Sequence, residues 1–436
     1  MSATQVTAPE PVTRSISRAG HTNSLFGVAS RAVSGFSRAG MLLVIAAKYG
    51  PNLFGKLALA VALMEVFRTF SEFGIDTISI RRFSQENEWQ RHRLLGQVVS
   101  SKLIAAAVGY LVSMLVLVGM TRDATTLKFG FLAGLSLFTA NLVGAFSSYY
   151  QSQLKMERAF PATAVAYAIY IASSLVAIWL HAPLAIIVCF LPSCELLNFL
   201  LLYRRVADVP SLHFDLSATR SLFLESLPLG LMSVMTMLCF RFDNMVVFHY
   251  AGSAALGIYA AGYRVVEPAL MVPHAFSVSL FAILTAHHQL LSRRHTFNAV
   301  IRTMWPAYLF IMAAAAVLIF GGGPLLARFG GSYAGVAPVV RILAIVLFFR
   351  TTNITFTAVL NSRGQYSILA KITATTMLVN ATLAFFLIPW LGIEGAAWAA
   401  FGTEVWNMTL QGIVTLSSRA IRAPSYGLVA PEPEIE

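Results

Sequence analysis

The sequence predicts an all-α polytopic membrane protein of about twelve transmembrane helices in two six-helix bundles. Three observations carry this. The 436-residue chain is 57% hydrophobic and 11% charged, with a mean hydropathy of +0.71, where a soluble domain is about 25% charged. The apolar excess recurs along the whole chain in stretches close to the ~20 residues that cross a bilayer. Between the stretches, alternate connectors hold most of the positive charge. A soluble enzyme, a nucleic-acid-binding protein and a single-span anchored domain are excluded, and no room remains for a large globular domain beside the spans.

In chain order, residues 1–22 form a polar tail with Arg14, Arg18, Pro9 and Pro11 and no apolar core of a signal peptide. Apolar spans follow near 24–47, 54–77, 97–119, 127–150, 160–180 and 183–203, which makes residues 23–204 the first six-helix lobe. The longest polar connector, 205–222, precedes a second lobe over 223–418, with spans near 225–248, 255–285, 298–320, 336–360, 366–388 and 393–417; residues 419–436 form a second tail. One set of connectors contains about 17 basic residues, among them Arg81, Arg82, Arg91, Lys155, Arg220, Arg293 and Arg363. The other holds about 5: Lys48, Lys56, Arg122, Lys128 and Arg328. By the positive-inside rule the first set and both termini are cytoplasmic. The net charge of +12 therefore suits membrane lipids, and no basic soluble face for nucleic acid is present. Cys189, Cys194 and Cys239 all lie in apolar runs, so neither a disulfide framework nor a metal site is indicated. His287, His288 and His295 fit no metal motif and read as a solvated connector; Gly321-Gly322-Gly323 and Gly330-Gly331 read as turns.

The halves carry a short repeat. Lys48-Tyr49-Gly50 leads to Gly55, Ala58 and Glu65; His249-Tyr250-Ala251 leads to Gly257, Ala260 and Glu267. The offsets from glycine to alanine to glutamate agree. Six spans separate the copies, so the repeat is parallel, a design that places a cavity between two bundles.

Charges inside spans are costly, about 2.5–3.5 kcal/mol for a central arginine, and so face a bundle interior, water or an interface. Lys102, Arg302 and Arg341 lie near span ends and can snorkel. Arg31 and Arg38 share a face of the first span; Arg38 is close to mid-span, while Arg31 can also reach the cytoplasmic surface. On the second, Glu65, Arg68, Glu72 and Asp76 fall within about 60° on an ideal helix. Such a stripe lines a hydrated cavity, or forms a ladder with Arg68 paired to Glu65 and Glu72; Asp76 can also reach the interface. Arg241 and Asp243 point to different sides of the seventh span, so at most one faces the cavity. Arg264 and Glu267 share a face of the eighth, with structural ion pairs between the halves as the competing reading. Glu195, Arg350 and Glu404 stand isolated, either bonded to a neighbouring helix or available as protonatable groups.

Five segments resemble the Wzx-type polysaccharide-transport (oligosaccharide flippase) family of the MOP superfamily, relatives of MATE exporters and lipid II flippases. They are Ala47-Lys48-Tyr49-Gly50-Pro51-Asn52-Leu53-Phe54-Gly55; Ser226-Leu227-Pro228-Leu229-Gly230 with Arg241-Phe242-Asp243; Gly257-Ile258-Tyr259-Ala260-Ala261-Gly262-Tyr263-Arg264; Phe329-Gly330-Gly331-Ser332-Tyr333 with Ala337-Pro338-Val339-Val340-Arg341; and Ile388-Pro389-Trp390-Leu391-Gly392-Ile393-Glu394-Gly395. The resemblance implies a MATE-like two-lobed fold in a bacterial inner membrane and no catalysis. It implies flipping of a polyprenyl-diphosphate-linked glycan for surface or exopolysaccharide synthesis, alongside a polysaccharide polymerase and export machinery. On this reading Arg31, Arg38, Arg68 and Arg264 bind the diphosphate. Glu65, Glu72, Asp243 and Glu267 are cavity acids open to coupling with an H+ or Na+ gradient, with no other cofactor. The competitors are a MATE-like cation exporter, whose cavity should be net acidic, and a membrane polymerase or glycosyltransferase, which should show large outer loops.

Overall fold

The computed structural model describes residues 10–206, 215–286, 293–327, 333 and 335–417. Among these the chain is helical and holds no strand: α1 (Glu10–Glu72), α2 (Ile75–Gln85), α3 (Glu88–Met120), α4 (Ala124–Gly134), α5 (Ser136–Ser152), α6 (Met156–Trp179), α7 (Leu184–Tyr203), α8 (Leu216–Val266), a 3-10 turn (Glu267–Leu270), α9 (Met271–Ala286), α10 (Arg293–Ala327), α11 (Val336–Ser362) and α12 (Tyr366–Ser417). A helix satisfies its own backbone amides, which hydrocarbon requires. Eight stretches are long and apolar enough to cross a membrane. Two of them, within 219–285 and 366–417, are divided by a glycine, Gly252 and Gly392, into two arms each, and α1 is divided in the same way at Gly50 but carries more charge.

The reversals are sharper than the sequence predicts. Gly50 (φ 75°) divides α1 and Gly252 (φ 81°) divides α8, both in the region that glycine tolerates and other residues avoid. Each lies at the same distance in sequence from the repeat glycine and glutamate, Gly55 and Glu65 or Gly257 and Glu267. The true partner of Gly50 is thus Gly252, not Ala251.

Other boundaries also differ. Helix α1 runs back to Glu10, so residues 10–22 extend the first helix rather than forming a tail. Asp215 accepts hydrogen bonds from the Ser217 backbone N–H (2.9 Å) and hydroxyl (2.7 Å) and starts α8 at Leu216, inside the expected connector. The second span breaks at Phe73 (φ 36°) and Gly74 (φ 73°), and α2 restarts the helix in a new direction. Residues 207–214, His287, His288, Arg328, Phe329–Ser332 and the expected tail 419–436 lie outside the described residues.

Side-chain contacts define two ends. At the basic end, Asn23 meets Gln151 and Met156, and Arg82 meets Ser221 and Glu225. At the opposite end, the Tyr49 hydroxyl donates to Ala182 O (2.7 Å) and Tyr333 to Ala46 O (2.8 Å). There Asp123 caps α4: it accepts from the Thr126 hydroxyl (2.7 Å) and backbone N–H (2.8 Å), and Lys56 approaches to 2.9 Å. The Thr126 hydrogen bond and the Lys56 ammonium lower its carboxyl pKa to about 2. A depressed acid stabilises the fold above its unfolded pKa and loses that effect as pH falls through the folded one. Asp123→Ala should cost about 0.5–2 kcal/mol, the worth of an N-cap. The deficit, read as a lower thermal midpoint in detergent at pH 7, should narrow towards pH 2. A deficit unchanged at pH 2 would show that the charge plays no part.

The lobes, α1–α7 and α8–α12, meet chiefly through α1 on α8. A shared core at the opposite end includes Phe54, Leu63, Tyr259 and Val339, each almost fully buried. The approach is closest where Gly55 faces Gly257: a Cβ on Gly55 would lie 1.7 Å from Ser253 O, and one on Gly257 1.9 Å from Pro51 O. Small residues permit such backbone contact between membrane helices.

Candidate functional site

The first cavity, of about 220 Å³, lies inside the N-terminal lobe and reaches Gln151 and Met156 at the basic end. Arg31 and Arg38 project into it from the first arm of α1, one heptad apart. Arg68 and Glu72 come from the second arm, and Glu195 from α7. Arg68 Nε sits 3.0 Å from Glu72 Oε1. Glu195 is buried and accepts from the Thr139 hydroxyl at 2.8 Å. Arg38 keeps a loose 3.9 Å contact with Glu195, donates to Ser34 O at 3.3 Å and stands 5.8 Å over the Tyr167 ring. Arg31 is exposed and forms no ion pair among the described residues. Three guanidinium groups thus face two carboxylates, with two of the three loosely held or free.

The second constellation bridges the lobes. Glu65 Oε2 lies 2.5 Å from Arg241 Nε, a charge contact whose N–H is not aimed at the oxygen, and Glu65 Oε1 accepts from Arg264 at 3.3 Å. Glu267 receives both arginines as well, each at 3.2 Å. The two repeat-related glutamates therefore share the same two arginines in a closed ring.

The third is a cavity of about 460 Å³ within the C-terminal lobe, lined by Asp243, Tyr263, Asn353, Arg350 and Glu404 among others. Arg350 donates to Glu404 (2.7 Å) and to the Tyr263 hydroxyl (2.8 Å), and packs 4.7 Å over the Phe240 ring. Asp243, buried, accepts from the Tyr259 hydroxyl and the Asn244 backbone N–H.

The eight predicted residues therefore fall in three places. Arg31, Arg38, Arg68 and Glu72 share the N-terminal cavity; Glu65, Arg264 and Glu267 belong to the ring; Asp243 lines the C-terminal cavity. Arg264 does not join Arg38 and Arg68. The expected ladder forms only in part, since Arg68 pairs with Glu72 while Glu65 turns to the other lobe. Asp76 leaves the stripe because the helix breaks before it, and it takes Lys102 instead at 2.5 Å, with Ser148 at 3.2 Å. Lys102 is therefore buried in a pair rather than reaching the interface. Arg302 and Arg341 are exposed. Of the isolated charges, Arg350 and Glu404 prove to be each other's partner, and Glu195, bonded to Thr139 of a neighbouring helix, is a cavity wall that was not among the eight. The amides of the C-terminal cavity were missed too: their only signal is that Asn353, Asn361 and Asn380 interrupt apolar runs. Cys189, Cys194 and Cys239 are free thiols, and no cluster of metal-ligating side chains occurs among the described residues.

A family model described as "Polysaccharide biosynthesis protein" matches residues 38–287, more than half of the chain. No curated protein matches it in sequence. Among solved structures, the lipid II flippase MurJ in an inward closed conformation is similar with a TM-score of 0.72 at 14% identity, over 91% of this chain and 87% of that one. An inward-facing MATE-family multidrug transporter of the MOP superfamily gives 0.67 at 12% identity, over 89% and 96%. A MOP superfamily transporter from Pyrococcus furiosus, described by the reverse polarity of its binding pocket, gives 0.53 at 13% identity, over 92% and 93%. Together, the family match and the all-helical fold, shared with transporters and flippases of the MOP superfamily, make this multi-pass membrane protein a member of the polysaccharide biosynthesis protein family.

Proposed function

We infer that the protein flips a polyprenyl-diphosphate-linked oligosaccharide across the bacterial inner membrane by alternating access, without covalent chemistry. The observation that carries this reading is the surplus of guanidinium in the N-terminal cavity. Arg31 and Arg38 lack the tight carboxylate partners that charges within a membrane protein ordinarily require. A diphosphate supplies them, since an arginine fork donates two parallel hydrogen bonds to one phosphate and stays charged at any accessible pH. The sugars and diphosphate, which hydrocarbon excludes, travel in the cavity while the polyprenyl chain stays in lipid. The basic end is cytoplasmic by its charge, as are both termini. The head-group enters there and leaves towards a polymerase and export machinery. A cation exporter would want the opposite charge in this cavity. An H+ or Na+ gradient acting on the cavity acids Glu65, Glu72, Asp243 and Glu267 drives the cycle.

The test is complementation of a strain lacking its own polysaccharide flippase. Arg38→Ala should lower glycan export about 10- to 100-fold, the worth of a hydrogen bond to a charged group at about 1.5–3 kcal/mol, with protein level unchanged. Arg38→Lys should recover part of it, keeping the charge and losing the fork. Normal export by an Arg31→Ala, Arg38→Ala double variant would refute the diphosphate site.

A further inference from the structure

We propose that the C-terminal cavity is a binding site for a neutral sugar ring of the head-group, an inference that rests on the flippase reading. Its roughly 460 Å³ is a small-molecule volume. Its charges are already spent: Arg350 on Glu404 and Tyr263, Asp243 on Tyr259 and Asn244. No guanidinium is left for a phosphate.

What is left is a set of acceptors. Asn353 and Asn380 are 5% and 4% exposed, and neither Oδ1 meets a donor in the protein; nor does Asn361 Oδ1. Their orientations are fixed by their neighbours. Asn353 Nδ2 donates to Glu404 O (3.0 Å) and Oε2 (2.7 Å), and an ionised carboxylate only accepts. Asn380 Nδ2 donates to the Thr403 hydroxyl at 3.2 Å, whose own proton goes to Ala399 O at 2.7 Å. Flipping either amide would set acceptor against acceptor. Leaving a buried acceptor unpaired is costly, and a cavity walled by these three amides, with Thr373, Thr376 and Asn407 beside them, suits a ligand rich in neutral donors. The hydroxyls and amide N–H of a sugar supply them. Phe281, 37% exposed, offers an apolar face for the ring's C–H surface. Cys239 lies on the same wall and serves as a reporter.

The experiment uses the full chain in nanodiscs with Cys189→Ser and Cys194→Ser, so that Cys239 is the sole thiol. Alkylation of Cys239 by N-ethylmaleimide is timed with bare undecaprenyl diphosphate, with the same carrier bearing glucose, galactose or N-acetylglucosamine, with each free sugar, and with NaCl or KCl alone. At least one sugar-bearing carrier should slow alkylation about fivefold or more, the scale of one satisfied hydrogen bond, and bare carrier should not. Asn380→Leu should abolish that protection and leave affinity for bare carrier unchanged. Ser277→Trp, on a lining side chain whose hydroxyl bonds only within its own helix, should do the same without touching the buried amides. Equal protection by bare carrier, protection by salt alone, retention of the sugar effect in both variants, or no protection by any sugar would each overturn the proposal. A protein that binds neither carrier defeats the flippase reading instead; the free sugars then decide the cavity, supporting it if they protect Cys239 and removing it if they do not.

Discussion

Leucine at position 257 should hold the two lobes apart at the end opposite the basic loops and reduce glycan export to near background. The atoms it would strike are backbone, Pro51 O at 1.9 Å and Gly55 N at 3.0 Å from its Cβ, and neither can rotate away. Overpacking of this kind costs about 1–3 kcal/mol, and about 2 kcal/mol shifts a two-state population roughly 30-fold. Spin labels at Arg122 and Tyr250, exposed positions near that end of the two lobes, should report a longer distance in Gly257→Leu than in the parent protein. Gly40→Ala is the control, because a Cβ there meets nothing within 4 Å. Parent-like distances together with parent-like export in Gly257→Leu would mean that this contact does not govern access.

The second large effect should come from the ring. Arg241→Ala leaves Glu65 and Glu267 competing for Arg264 alone. Removing one partner from a buried pair costs about 3–5 kcal/mol. Here the lower part of that range applies, because the Glu65 and Glu267 side chains keep 27% and 38% exposure and solvent screens them. The thermal midpoint should fall, and a cycle with Glu65→Gln should give a coupling energy of about 0.5–3 kcal/mol. Strict additivity of the two substitutions would show that no pairing energy crosses the lobes at this point.

The architecture was legible because a bilayer imposes a period on composition and on connector charge. Gly55 with Glu65 and Gly257 with Glu267 were legible as a repeat for the same reason that they matter, since each pair occupies the same place on an equivalent helix. The turn was misaligned by one residue because the tyrosine before each turn is a conspicuous but irrelevant match; backbone conformation, not the ring, selects Gly50 and Gly252. The second span read as one helix because a single Gly74 in an apolar run looks like any membrane glycine. Its break swings Asp76 to Lys102, a partner that helical spacing along the span does not predict. Pairs such as Arg350 with Glu404 and Glu65 with Arg241 join separate spans. A single sequence shows two lone charges in each case and gives no means of matching them. Arg68 with Glu72, four residues apart on one helix, is the kind of pair that spacing alone can find.

The ring is not built evenly from the two repeats. Both contribute a glutamate, but the positions equivalent to Arg241 and Arg264 in the first repeat are Ala39 and Ala62. While the lobes touch, two positive and two negative charges cancel. Were they to part, the N-terminal face would keep one bare carboxylate and the C-terminal face two guanidinium groups with a single acid between them. Separation would therefore charge the gap like a small capacitor, with its positive plate fixed on the C-terminal lobe. A diphosphate passing through would discharge that plate, and the empty protein would bear the full cost of its field.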